Sequence, residues 1–194
     1  MPSPMSATDH AAQQRRSTPA STPWYARYPM LSAFAVAFLL YAIPLRSYHW
    51  LPAFHDAALH WEIAGTFFAR PWFPFVLASD TGHPPLISWI LAALWHLPLP
   101  RLLSMHLLSW AAAALLCAAL FDLTRRTLGL FPALCAVALL GLHPVVIAQS
   151  LQLNLDLFQV AFAWTAVAGM VRGQPWLVAV ALSASSMTKL NGPF

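Results

Sequence analysis

Apolar runs at 28–45, 84–97, 102–121, 128–148, 155–171 and 175–188 decide what this chain can become. Hydrophobic residues make up 59% of it and charged residues only 8%. A soluble domain carries roughly 25% charge. So much apolar surface with so little charge needs lipid as its solvent, and in lipid a backbone must satisfy its own hydrogen bonds. The expected class is all-α, a polytopic helical membrane protein.

The formal charge of +4 does not point to nucleic acid. The basic residues sit at the ends of apolar runs, where they orient spans. Cys117 and Cys135 lie inside apolar runs, and no Cys/His zinc spacing occurs. Residues 1–27 are rich in Ser, Thr, Pro and Gln and lack an apolar period, so they read as a disordered cytoplasmic tail. The run 28–45 is long for a signal-peptide core and ends in IPLRS rather than a small-residue cleavage site. It reads as a first span, with Arg15, Arg16 and Arg27 holding the N-terminus in the cytoplasm.

If all six runs cross, Arg125–Arg126 and Arg172 fall outside, against the positive-inside rule. If 84–97 does not cross, every such cluster falls inside. Pro85 and Pro98 bracket about 12 residues, roughly 18 Å of helix, against a hydrocarbon core of about 30 Å. The segment 84–97 is therefore expected to lie at the outer interface, with Trp89 and Trp95 at headgroup level. Spans are expected near 28–45, 102–121, 128–148, 155–171 and 175–188, and 46–101 becomes one extracytoplasmic loop.

That loop gathers Asp56, Glu62 and Asp80 with His49, His55, His60, His83 and His96. Within it, FHDAALHWEIAGTFFA reads as an amphipathic helix with Asp56 and His60 on one face. The plain reading is a solvated face resting on lipid; the functional readings are a working carboxylate or a His/Asp metal site. Asp156 lies at the mouth of a span, where it either caps the helix, in competition with Asn154, or faces a polar cavity. Lys189, the one lysine of the chain, reads either as a stop-transfer charge or as a site residue. Arg101 begins a span on the outer side, where orientation alone predicts no arginine.

The order of these features resembles the N-terminal part of GT-C class glycosyltransferases. It runs from a first span, through an outer loop with an early acid, to GHPPL and a tryptophan-bearing apolar helix. Then follow Arg-Leu at a span start, a cytoplasmic Arg-Arg, an Asp heading a later span and a closing TKLNGP. The closest groups are protein O-mannosyltransferases, lipid A aminoarabinose transferases and RgtA/B/C/D-like relatives of family 39. The resemblance covers about Tyr28 to the last residue, and it implies a partial GT-C-like transmembrane domain over 28–194, with the chain expected to be truncated.

It also implies transfer of a sugar from a polyprenyl-phosphate donor to an acceptor hydroxyl outside the cytoplasm. The acceptor is a protein, lipid or polysaccharide, and the enzyme sits in the inner or plasma membrane. By the resemblance Asp56 matches the catalytic acid, although Ala57 stands where relatives often carry a second acid. His83 and Arg101 match donor-phosphate positions, and Asp156 matches an acid that orients the acceptor or holds a divalent cation. Lys189 matches a Lys-Gly element, here interrupted by Leu190 and Asn191. Metal dependence stays open. The rival classes are a membrane transporter, which also places ionisable residues near membrane depth, and a noncatalytic envelope-assembly subunit.

Overall fold

A computed structural model describes residues 28–43, 50–53, 56–70 and 85–189, without the side chain of Asp56. The expected tail 1–27 lies outside these residues. The described chain is all-α. Its helices are α1 (Pro29–Ala42), α2 (Asp56–Ala69), α3 (Leu86–Leu94), α4 (Arg101–Leu128), α5 (Leu130–Gly141), α6 (Pro144–Ser150), α7 (Leu155–Val171) and α8 (Pro175–Ser186).

The central element is α4, 28 residues or about 42 Å long. It packs against α1, α5 and α7, while α8 packs on α7 and α2 packs on α3. Among the described helices α4 alone is long and apolar enough to cross a bilayer, joined by α5–α6 if that bent pair is one span. The others with an apolar length of 10–17 residues are α1, α7 and α8. The outward faces of α1, α5 and α8 carry Leu39, Leu40, Phe131, Leu139, Trp176 and Val180, all more than half exposed. Water would penalise such a surface, but acyl chains do not.

Two boundaries differ from the apolar runs, for identifiable reasons. The helix expected to end at 121 continues to Leu128, because Asp122 and Arg126 lie one turn apart and bond at 3.0 Å, carrying the helix through the polar DLTRRT. The run 128–148 is not one helix. Pro144 removes an amide donor, so the chain breaks after Gly141 and restarts with a bend of 62°. His143 caps the new helix, its Nδ1 accepting from the Val145 amide at 3.3 Å.

Helix directions follow from contacts at the two ends. Arg172, just past α7, donates to Asp122 near the end of α4 at 2.8 Å. At the opposite end Leu155 and Phe158 share a core with Met105 and Leu108. So α4 and α7 run parallel, with α5–α6 returning between them. Gly173, at φ +65°, then turns the chain back into α8. The two helices meet closely at Gly169, where an added Cβ would lie 3.1 Å from a Val178 methyl. One end of the bundle therefore carries Arg125, Arg126 and Arg172, and the other carries the starts of α4 and α7 and the end of α8.

Over the segment 84–97 the helix is only nine residues, about 13.5 Å. Its tryptophans are not simply set out at a surface. Trp95 is buried, edge-on to Trp61 at 4.8 Å and to Phe68 at 6.1 Å, and Phe67 lies 6.2 Å from Trp89. The helix α2 thus buries Phe67 and Ala64 against α3 rather than resting on lipid alone.

Candidate functional site

The parallel arrangement of α4 and α7 brings the candidate polar residues to one end. Asn154 caps α7, its side-chain oxygen accepting from the Asp156 amide at 2.9 Å. The competition between the two caps is thereby settled for Asn154, and the Asp156 carboxylate is left for another partner. That partner is Lys189, whose Nζ donates to Oδ1 at 2.5 Å. The side chains are 55% and 30% exposed, so the pair is accessible and exchangeable. Ion pairs this open hold weakly, and either member can turn to an incoming charge.

The start of α3 is tied to the same place. The Leu86 amide donates to the Met187 carbonyl at 3.3 Å, two residues before Lys189. This bond joins the end of the GHPPL motif to the residue just before TKLNGP, 101 positions further along the chain.

Arg101 opens α4 and is exposed. Its guanidinium carbon lies 4.7 Å from the Trp95 ring and 4.9 Å from the Phe68 ring. Stacking of this kind fixes the plane of the cation while leaving its edge donors available. The structure does not join Arg101 directly to the Asp156–Lys189 pair; the aromatic cluster holds it separately.

Two buried histidines brace the loop side. His60 Nδ1 lies 2.9 Å from Ser88 Oγ, bridging α2 and α3 in a site from which both residues exclude solvent. His106 Nε2 lies 3.1 Å from the Leu51 carbonyl; a carbonyl only accepts, so the imidazole donates. That bond fastens the chain five residues before α2 begins. The resemblance had not singled out His106, but an imidazole inside an apolar helix needs a polar partner, and that was the available signal.

Of the matched site residues, Asp56 is the first residue of α2, with its side chain outside the description, and His83 lies outside the described residues altogether. Among the described residues no group of three His, Cys, Asp or Glu side chains is placed to hold a metal ion.

Fold and site together define a helical membrane protein whose exposed acid, lysine and stacked arginine sit at one end of the bundle, opposite an arginine-rich end. Residues 82–188, more than half of the chain, match the family described as dolichyl-phosphate-mannose-protein mannosyltransferase. The chain belongs to that family, and the GT-C resemblance holds over this range, which includes GHPPL. The matched range contains His83, Arg101 and Asp156; Asp56 lies before it and Lys189 one residue beyond it. No curated protein and no solved structure matches the chain.

Proposed function

We propose that the protein transfers a sugar from a polyprenyl-phosphate donor to an acceptor hydroxyl at the membrane face bearing Asp156, Lys189 and Arg101, outside the cytoplasm. The observation that carries this reading is the Leu86–Met187 bond, which ties the last residue of GHPPL to the chain two residues before Lys189, the partner of Asp156. A polyprenyl-phosphate donor keeps its tail in lipid and its phosphate at the interface. Cations beside an apolar surface are what such a phosphate needs.

In the proposed reaction the acceptor oxygen attacks the anomeric carbon as the bond from that carbon to the phosphate oxygen breaks. The Asp56 carboxylate takes the acceptor's proton, and polyprenyl phosphate leaves with the bonding electrons. Charge builds on the leaving phosphate, so preset cations accelerate the step. Arg101 suits this role because Trp95 and Phe68 hold its plane while its N–H edge can face oxygen. Lys189 supplies a second cation when Asp156 turns to orient the acceptor hydroxyl. In this reading His83, the residue before the double proline, provides a third donor. The five proposed spans would be α1, α4, α5–α6, α7 and α8, with α3 lying at the outer face.

The test is donor kinetics in membranes holding the full-length protein. His83→Ala should raise the donor KM strongly, and His83→Lys should preserve much of the wild-type value. Unchanged donor kinetics in both variants would remove His83 from the site.

A further inference from the structure

The groove between α1, α4 and α5 lies away from the candidate site and has a different chemistry. It encloses about 450 Å³, within the range of small-molecule sites. Along α1 its wall is Pro29, Ala33, Val36 and Leu40, one helical face, and Leu134 of α5 lies across from them. Eleven residues of rise make the groove about 17 Å long, close to half of a hydrocarbon core about 30 Å thick. Beyond Leu40, the Tyr41 hydroxyl donates to the Gly141 carbonyl at 3.2 Å and ties α1 to α5. The groove is one leaflet deep.

At the other end of the groove stands Arg125. Its Nε is buried and has no hydrogen-bond partner among the described residues, an arrangement that costs free energy unless something accepts the bond. Asp122 does not serve in the described structure: its Oδ2 receives Arg126 and Arg172, and its Oδ1 makes no hydrogen bond to Arg125. Among the described residues, three arginines at this end face one carboxylate. An anion with an apolar tail satisfies both the cation and the groove.

We infer that the groove holds one acyl chain of an anionic membrane lipid, with the lipid phosphate accepting from Arg125. The residues preceding α1 are a poor alternative occupant by composition. They lack an apolar period and include Arg15, Arg16 and Arg27 against Asp9 alone, so they would add positive charge to positive charge.

Native mass spectrometry of the full-length, delipidated protein titrated with phosphatidylglycerol tests this directly. Wild type should retain one tightly held lipid. Arg125→Ala should weaken retention at least about tenfold, the loss of one charge-assisted hydrogen bond, whereas Arg126→Ala should weaken it less than about threefold, since its charge is spent on Asp122. Ala33→Phe should fill the groove and also displace the lipid; an unchanged melting temperature for either weakened variant shows that it still folds. A photo-crosslinking residue at Val36 should capture lipid. Equal binding of diacylglycerol, binding of inorganic phosphate alone with the same affinity, or wild-type retention in Arg125→Ala would overturn the proposal. Crosslinking from position 36 to residues 1–27 or to another protein would overturn it as well.

Discussion

Replacing Asp122 with alanine removes the one described carboxylate at the arginine-rich end. Its side chain is fully buried, and one oxygen receives Arg172 at 2.8 Å and Arg126 at 3.0 Å. The two bonds are unequal in worth. Arg126 is on the same helix and 40% exposed, so water screens it, and its loss should cost about 0.3–0.5 kcal/mol. Arg172 is 15% exposed and comes from the end of α7, 50 residues away, so its bond fastens two parallel helices. Arg172→Ala should cost about 1.5–3 kcal/mol, as for a hydrogen bond between charged groups. Asp122→Ala breaks both and strands Arg172 near the hydrocarbon, for about 3–5 kcal/mol. Equilibrium unfolding in mixed micelles measures each variant. A double-mutant cycle of Asp122 with Arg172 should return at least about 1 kcal/mol of coupling. Equal losses for Arg126→Ala and Arg172→Ala, or no coupling between Asp122 and Arg172, would refute the view that this carboxylate locks α4 to α7.

Two further predictions concern packing and capping. At Gly169 a Cβ would crowd the Val178 methyl at 3.1 Å and its backbone nitrogen at 3.3 Å, so Gly169→Val should destabilise by about 1–3 kcal/mol. Gly65→Ala meets only a Trp95 ring carbon at 3.7 Å and should gain up to about 1 kcal/mol of helix propensity; thermal unfolding reads both. Asn154→Ala should lose about 1 kcal/mol by uncapping α7, whereas Asp156→Asn should lose less, since its ion pair with Lys189 is solvent-screened. A larger loss for Asp156→Asn would make that carboxylate structural.

The apolar runs were legible because a bilayer demands long uncharged segments, and α7 occupies the 155–171 run with no shift of either end. The bend at His143–Pro144 was written in the proline but hidden by the continuous apolarity on both sides of it. The length of α4 was hidden in the opposite way: DLTRRT looks like a loop until Asp122 and Arg126 are seen one turn apart. Arg101 stood out because its position defied the charge rule, but its aromatic seat needed Trp95 and Phe68 to converge from α3 and α2. Lys189 was weakened by the interrupted Lys-Gly element, and only tertiary proximity gave it Asp156 as partner. Asp122 lies just past the 102–121 apolar run. Its link to Arg172 spans 50 residues, a distance that no local pattern encodes.

Sugar transfer at the Asp156–Lys189 end can be measured directly. The direct measurement is transfer from a polyprenyl-phosphate sugar in liposomes holding the full-length protein, with wild type and Asp56→Asn side by side. Transfer by the wild type, falling about 10²–10⁴-fold in Asp56→Asn as expected for loss of a general base, is the predicted result. Solute or ion flux without any sugar transfer, or transfer undiminished in Asp56→Asn, would contradict the account.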